Sequence, residues 1–171
     1  MKKLLAVLLA LLILSPAALA AQIAPVQIGS EVPDFEVELL DGTAFRLSEQ
    51  RGKVVLVNIW AKDCPSCVGE MPDLQKLSED YGEQLVVLGL NAGDSAETVS
   101  KFLEDKGYTY PSALDEDYKL TMELFPTNYI PYTVVIDPNG IVTEMQVGAR
   151  SYDVFHGYID AALAGAESPA E

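Results

Sequence analysis

The sequence predicts an α/β fold, a three-layer α/β/α sandwich with a mixed central sheet and an N-terminal β-hairpin extension. Strand-like and helix-like segments alternate through the middle of the chain, which is typical of parallel strands joined by helices. Two turn signals, Asp41-Gly42 and Asn139-Gly140, each separate two short apolar strands and so predict antiparallel hairpins on either side of that middle part. A chain of 171 residues has the size of one ordinary domain.

The elements of the first half are short and end at turn-forming residues. We predict hairpin strands over 34–40 and 44–47, a short turn or helix from Ser48 to Gly52, a strand over 54–60, a helix over about 65–81, and a strand over 84–90. The segment 54–60 is an apolar run rich in β-branched residues, and such a run indicates a strand that is covered on both faces.

The second half repeats the alternation and then closes with a hairpin and a helix. Asp94 with Glu97 forms the pattern of a capping box for a helix that Gly107 ends. The other predicted elements are a strand over 112–114, a helix over 118–125, strands over 132–137 and 141–147, and a last helix capped by Ser151 with an apolar face of Phe155, Tyr158, Ile159 and Ala162.

The beginning of the chain has the parts of a secretory signal peptide. A short basic start is followed by an apolar run of Leu4 to Leu14, and small residues at Ala18 and Ala20 suit a cleavage site. We therefore predict a signal peptide over 1–20, a domain over 27–165 and a flexible tail over 166–171. Export would place the protein in the periplasm or another extracytoplasmic compartment, where disulfides persist. An uncleaved N-terminal membrane anchor stays the alternative.

Charge and composition exclude several classes of protein. The net charge is −15, and such a surface repels the phosphates of nucleic acids. The chain holds two cysteines and one histidine, too few for a four-ligand Cys/His zinc site or for a disulfide-dense scaffold. No sequence feature calls for a cofactor.

The two cysteines carry the predicted chemistry. Cys64-Pro65-Ser66-Cys67 directly follows the buried strand and opens a helix, so the two sulfurs lie on one helical face within reach of a disulfide. The unpaired N–H groups and the positive dipole end of the helix lower the pKa of the Cys64 thiol and favour its thiolate. Cys64 is then the exposed nucleophile and Cys67 the resolving thiol. An inert structural disulfide and metal capture by the dithiol are the alternatives.

The chain resembles the thioredoxin superfamily, specifically its exported TlpA/ResA-like branch of thiol-disulfide oxidoreductases. The resemblance spans about residues 27–165. The matching pieces are Ile28-Gly29, Val32-Pro33-Asp34-Phe35, Asp41-Gly42, Leu47-Ser48, Arg51-Gly52-Lys53-Val54-Val55, Asn58-Ile59-Trp60-Ala61, Cys64-Pro65-Ser66-Cys67, Glu70-Met71-Pro72, Ile130-Pro131-Tyr132-Thr133, Val135-Ile136-Asp137 and Asn139-Gly140. The resemblance implies a thioredoxin fold.

The resemblance also implies roles for residues around the cysteines. Pro131 matches the family's cis-proline loop, so the Ile130–Pro131 bond is expected to be cis and the loop to pair with extended substrate backbone. Trp60 ends the strand before the cysteines and is expected as a packing platform under the site, among the residues that contact substrate, with plain core filling as the alternative. Pro65 and Ser66, between the cysteines, are also expected to contact substrate. The dipeptide Pro65-Ser66 differs from thioredoxin's own Gly-Pro and tunes the reduction potential.

A glutamate at the position of Glu70 handles protons for the cysteine pair in ResA-like proteins. Asn58 stands where ordinary thioredoxins carry a buried aspartate, so proton handling falls to Glu70. A partly buried carboxylate there has a raised pKa, which suits proton exchange with Cys67. A solvated helix glutamate is the alternative reading of Glu70.

The residues before Cys64 depart from the family pattern. Asp63 replaces the usual large residue and disfavours the Cys64 thiolate, while Lys62 partly offsets that charge. His156 is predicted to be a surface residue of the last helix rather than a metal ligand.

The function expected from this resemblance is that of a thiol-disulfide oxidoreductase acting on protein disulfides. The branch favours a reductase, with a role in cytochrome c maturation and a membrane thiol-disulfide carrier as electron donor. A disulfide-forming oxidase or isomerase is the alternative enzyme, and a copper chaperone-like dithiol module is the alternative of another class.

Overall fold

The computed structural model describes residues 25–166, and this part of the chain forms an α/β structure. Its strands are β1 (Glu36–Glu38), β2 (Ala44–Arg46), β3 (Val54–Trp60), β4 (Leu85–Asn91), β5 (Ser112–Leu114), β6 (Tyr132–Ile136) and β7 (Val142–Val147). Its α-helices are α1 (Pro65–Tyr81), α2 (Ala96–Lys106), α3 (Lys119–Glu123) and α4 (Tyr152–Ala166). Short 3₁₀ turns occupy Leu47–Gln50 and Gly82–Gln84.

A mixed five-stranded sheet with the order β5-β4-β3-β6-β7 forms the centre of the structure. Strands β3, β4 and β5 are parallel, and β6 and β7 continue the sheet in antiparallel pairs. All seven residues of β3 are buried because this central strand has a neighbour on each side and a layer over each face. The apolar run of 54–60 therefore predicted this strand correctly.

Helices α1, α2 and α4 cover one face of the sheet. The connections from β3 to β4 and from β4 to β5 step in the same direction, and right-handed crossovers place both connecting helices on the same face. Met71, Leu74, Val99, Phe155 and Ile159 from the three helices pack in one apolar cluster against Leu56 and other residues of that face. The last helix buries Phe155, Ile159 and Ala162, as its sequence pattern predicted, whereas Tyr158 packs at the margin of the cluster.

The N-terminal segment and α3 cover the opposite face. Strands β1 and β2 form the predicted antiparallel hairpin, with Val37 opposite Phe45. Phe45 packs with Phe35 and Phe125 in the second apolar cluster, over the outward face of β3 and β6. Three layers result, and the third consists of the hairpin extension and one short helix.

The start of α2 corrects one prediction. The residue that caps this helix is Ser95, whose hydroxyl accepts a hydrogen bond from the Thr98 N–H, and not Asp94. The carboxylate of Asp94 is held elsewhere, because its Oδ2 accepts from the Lys62 N–H at 2.7 Å and from Asn91 Nδ2 at 2.9 Å. Gly107 ends the helix in the left-handed region with φ of 72°, as predicted.

The predicted terminal segments lie mostly outside the described residues. The segment 1–20, predicted as a signal peptide, is not among them, nor is 167–171 of the predicted tail. Helix α4 continues through Ala166, the first residue of that tail. Among residues 25–166, no helix has the length and apolar character needed to cross a bilayer.

Candidate active site

The site forms where β3 ends and α1 begins. Cys64 is the N-cap residue of α1, and the backbone N–H of Cys67 donates to Cys64 Sγ at 3.2 Å. Pro65 occupies the first helical position, where a missing N–H leaves no helical hydrogen bond unmade. The Ser66 hydroxyl lies 3.4 Å from Cys64 Sγ. The sulfur of Cys64 thus lies among donors at the positive end of a helix, which stabilise a thiolate.

Cys64 and Cys67 are joined by a disulfide, and their Cα atoms are 5.3 Å apart. Their exposure differs. Cys64 is partly exposed, whereas Cys67 is completely buried in the cluster beneath α1. An incoming thiol or disulfide can therefore reach Cys64, and Cys67 can react only with a partner already bonded to Cys64.

The loop before β6 lies beside the same end of β3. The Ile130–Pro131 peptide bond is cis, as the resemblance implied. Tyr132 pairs with Ile59 in the antiparallel register. Pro131, the residue before Tyr132, therefore lies opposite the end of β3, where the cysteine segment begins. Ile130 packs against both apolar clusters at this edge of the sheet. The carbonyl oxygen of Pro131 accepts from the Gly148 N–H at 2.8 Å, which ties the loop to the end of β7.

Glu70 is a buried carboxylate one helical turn below Cys67. It is 2% exposed. Its Oε1 accepts from Asn58 Nδ2, and its Oε2 accepts from the Arg150 backbone N–H, both at 2.9 Å. Burial raises the pKa of Glu70, and the two hydrogen bonds and the Arg150 charge partly oppose that shift. A carboxyl group with a raised pKa holds its proton to a higher pH than a solvated surface glutamate does, which suits proton exchange with a thiol.

Asn58 lies in the middle of β3 and contacts both sides of the site. Its Nδ2 donates to Glu70 Oε1 and also to Thr133 Oγ1, the latter at 3.0 Å. Asn58 and Thr133 pair across β3 and β6, and both are buried. The Oδ1 of Asn58 has no hydrogen-bond partner within residues 25–166. Asn58 therefore supplies a donor to Glu70 where a second carboxylate would repel it.

Trp60 corrects another prediction. Substrate contact was expected for Trp60, yet its side chain is completely buried, as the alternative of plain core filling requires. The ring packs on Phe102 of α2, with 5.6 Å between the ring centroids, in the cluster that also contains Cys67. Helix α2 covers the end of β3, so Trp60 supports the site from below and cannot touch a bound substrate.

Lys62 and Asp63 lie on the exposed side of the cysteine segment. Lys62 Nζ and Asp63 Oδ1 are 2.9 Å apart, and the Asp63 side chain is 90% exposed. The positive charge of Lys62 lies next to the negative charge of Asp63, and the effect of the two charges on the Cys64 thiolate stays a prediction. The Lys62 N–H is bound to Asp94, so this segment is also fixed to the start of α2.

His156 lies far from the cysteines. Its ring packs 5.5 Å from the ring of Tyr81, the last residue of α1, and its Nδ1 is 3.2 Å from Asp160 Oδ2. The helix between Cys67 and Tyr81 is about 21 Å long. His156 and the two cysteines therefore cannot bind the same metal ion. Residues 25–166 contain no group of three or more His, Cys, Asp or Glu side chains that could hold a metal ion.

Sequence reasoning missed Thr133 and Arg150. Thr133 falls inside the matched Ile130–Thr133 piece, and a polar residue in an otherwise apolar strand was an available signal. Arg150 contacts Glu70 through its backbone N–H. Every non-proline residue has that donor, so no sequence pattern marks it.

The Redoxin family model matches residues 27–158, nearly the whole of the described structure. The chain belongs to the Redoxin family.

Similar proteins agree with this membership. The Redoxin chain is 33% identical to the thiol-disulfide oxidoreductase ResA of Geobacillus kaustophilus over 136 residues, which cover 79% of this chain and 78% of that one. It is 32% identical to the thioredoxin-like protein YneN of Bacillus subtilis over 134 residues, which cover 74% and 75% of the two chains.

Solved structures show the same fold. The crystal structure of a DsbF homologue from Corynebacterium diphtheriae aligns with a TM-score of 0.72 and 28% identity, over 77% of this chain and 86% of that one. The fold is the predicted thioredoxin fold. This Redoxin-family protein is a thiol-disulfide oxidoreductase of the ResA type, with Cys64 and Cys67 as its cysteine pair.

Proposed function

We propose that this protein is an exported reductase of protein disulfides, in which Cys64 is the nucleophile, Cys67 resolves the mixed disulfide and Glu70 carries the proton. The observation that carries the proposal is the unequal exposure of the bonded cysteines. Cys64 is partly exposed at the positive end of α1 and Cys67 is completely buried. Only one of the two sulfurs is open to another protein, which supports this order of the two exchange steps.

The reaction begins from the reduced dithiol. The Cys64 thiolate attacks one sulfur of the substrate disulfide, a mixed disulfide forms, and the departing substrate thiolate takes a proton from solvent. Glu70 accepts the proton of Cys67, and the Cys67 thiolate attacks Cys64 Sγ, which breaks the mixed disulfide and expels the second substrate thiolate. That thiolate takes a proton from solvent, and Glu70 returns its proton to solvent. The substrate gains two electrons and two protons, and the Cys64–Cys67 disulfide is the oxidised product.

A polypeptide substrate fits the surface beside the Pro131 loop. Tyr129, Met122 and Val147 are 70%, 57% and 51% exposed, and with their neighbours they line a groove of about 470 Å³. Exposed apolar surface of this kind suits the side chains of an extended chain, and the cis-proline loop offers it backbone partners. We therefore assign Ile130, Pro65 and Ser66, which are at least partly exposed, to substrate contact. Pro131 was predicted to contact substrate as well, but it is buried, so we assign it to shaping the loop.

The place of action is an extracytoplasmic compartment. The signal-peptide pattern of 1–20 supports export, with a retained membrane anchor as the alternative outcome. A reductase there needs electrons from a membrane thiol-disulfide carrier, because the compartment itself is oxidising. The resemblance to the ResA-like branch supports a role in cytochrome c maturation, since haem attaches to a Cys-x-x-Cys-His segment whose cysteines must be reduced.

The reduction potential tests the proposed direction. Equilibration of the protein with a dithiothreitol or glutathione series, read by mass after alkylation, should give a value near that of thioredoxin, about −270 mV. The protein should also reduce a disulfide-bonded peptide faster than it oxidises the matching dithiol peptide. A value of about −120 mV, together with faster oxidation of the dithiol peptide, would identify an oxidase instead.

A further inference from the structure

The turn between β7 and α4 contacts both the proposed proton carrier and the cis-proline loop. At one end of the turn, the Gly148 N–H donates to the Pro131 carbonyl at 2.8 Å. Two residues later, the Arg150 N–H donates to Glu70 Oε2 at 2.9 Å. A short piece of backbone thus joins the carboxylate below Cys67 to the loop beside Cys64.

The side chain of Arg150 holds this turn in shape. Its Nη1 donates to the Gly148 carbonyl at 3.2 Å and to the Ala149 carbonyl at 2.9 Å, and its Nη2 donates to Gln146 Oε1 at 2.8 Å. Gly148 has φ of 84°, a left-handed conformation that glycine adopts without strain. A planar guanidinium can bind several acceptors of one turn at once, which a lysine ammonium on a flexible stem does less well.

We propose that Arg150 is a positioning residue for disulfide exchange, whose guanidinium fork holds the turn between β7 and α4 so that Glu70 and the Pro131 loop are placed together. An ionised carboxylate accepts a backbone hydrogen bond more strongly than a neutral carboxyl does. The charge of Glu70 therefore stabilises the turn, and the turn stabilises the charge of Glu70 by the same amount. Substrate docking at the Pro131 loop is the part that rests on the proposed function.

Several groups face Glu70 and must be counted in its titration. Asp73 on α1 raises its pKa, and the Arg150 charge lowers it. The Tyr110 phenol lies buried near Glu70. Burial raises the pKa of Tyr110 above its ordinary value, so the phenol is neutral at physiological pH. Asn58 is an uncharged donor that favours the ionised carboxylate, and Thr133, its second partner, is uncharged as well. Arg150 is the one positive charge among these groups, so its turn is the part whose removal must raise the pKa of Glu70.

The first test titrates Glu70 in the oxidised protein, where neither cysteine titrates. The carboxyl carbon signal of Glu70 is followed by NMR in the wild type, Arg150→Ala, Arg150→Lys and, as a matched control, Arg46→Ala on the surface of β2. Both Arg150 variants should raise the titration midpoint of Glu70, and the control should leave it unchanged. A midpoint that stays at the wild-type value in Arg150→Lys would overturn the role of the fork, because the charge alone would then suffice.

The second test separates the turn from the chemistry. With the reduced protein, Arg150→Ala should raise KM for a disulfide-bonded polypeptide by about fivefold, the effect of one lost hydrogen bond. It should leave nearly unchanged the rate of the first step with a small linear disulfide, the attack by the Cys64 thiolate, because this step comes before Glu70 accepts a proton. If Arg150→Ala weakened the reaction with the small disulfide as much as the reaction with the polypeptide, the link to the Pro131 loop would be overturned. If Arg150→Ala does not fold, Gln146→Ala removes one acceptor of the fork and must show smaller shifts in the same directions; no shift would overturn the proposal. The NMR result stands whichever direction of electron flow the protein has.

Discussion

Asn58 donates a hydrogen bond from the middle of β3 to Glu70 on α1, with 2.9 Å between Asn58 Nδ2 and Glu70 Oε1. Both side chains are buried, at 0% and 2% exposure. The carboxylate is therefore fixed on one side by the central strand and on the other by the turn before α4. A group held in this way keeps one position beneath Cys67 while its charge changes.

Replacement of Glu70 by glutamine should slow the second exchange step. Glutamine keeps the shape of the side chain but cannot take the Cys67 proton, so we expect resolution of the mixed disulfide to slow by about 100-fold at neutral pH, the low end of general acid–base effects. The pH dependence that Glu70 gives to this step should also disappear. Stopped-flow measurement of product release over a pH series checks both effects.

Glu83→Gln is the matched control for that experiment, because Glu83 is an exposed glutamate just beyond the end of α1. Its pH profile should follow the wild type. A profile for Glu70→Gln that equals the wild-type profile would remove Glu70 from the mechanism.

Glu70 should also make the stability of the oxidised protein depend on pH. Its folded pKa lies above the value of about 4.3 expected in the unfolded chain. The folded state then holds the Glu70 proton more tightly than the unfolded chain does. The stability gained from this protonation is fully present below about pH 4.3 and is lost as the pH rises through the folded pKa. The difference in unfolding free energy between the wild type and Glu70→Gln should therefore fall as the pH rises from 4 to neutrality, as urea titrations can measure. A difference that grows with pH would show that the folded pKa is lowered instead.

Trp60→Phe should weaken the fold without weakening substrate binding. The indole is buried and its Nε1 has no hydrogen-bond partner within the described residues, so the smaller ring loses packing only. We expect a loss of about 1–3 kcal/mol in unfolding free energy and an unchanged KM for a polypeptide disulfide. A higher KM at unaltered stability would show that Trp60 contacts the substrate.

The local elements could be read from the sequence because each is decided by neighbouring residues. The run of 54–60 is apolar on both faces, and Cys64 to Cys67 has a spacing that places both sulfurs on one helical turn. The burial of Glu70 followed only from the resemblance, since its spacing alone also fits a solvated helix residue. Its contact with Arg150 spans eighty residues of chain through a backbone donor, and residue types do not encode such a contact.

Two errors have the same physical origin. Asp94 and Ser95 are both good helix caps. Ser95 caps the helix because the Asp94 carboxylate accepts a hydrogen bond from the Lys62 N–H instead. Trp60 ends a strand next to the site, and only the position of Phe102 on α2 shows that the indole is covered. In both cases a distant segment decides the environment of a residue that the local pattern describes correctly.

Asp63→Ala should lower the pKa of the Cys64 thiol in the reduced protein. The substitution removes a negative charge next to the thiolate and frees the Lys62 ammonium from its partner at 2.9 Å. Because both groups are exposed, we expect a decrease of about 0.5 pKa unit. Thiolate absorbance over a pH series measures it, and Lys62→Ala should shift the same pKa upward. An increase in the pKa after Asp63→Ala would contradict the electrostatic account of this segment.

The order of attack is tested most directly by trapping the mixed disulfide. The chain contains only two cysteines, so each single variant leaves one thiol that can form an adduct. With a disulfide-bonded peptide, Cys67→Ser should accumulate a stable adduct at Cys64, visible by intact mass, because the resolving thiol is gone. Cys64→Ser should form almost none, since the remaining Cys67 is completely buried. Adduct formation by Cys64→Ser at the rate of Cys67→Ser would contradict the assignment of Cys64 as the nucleophile.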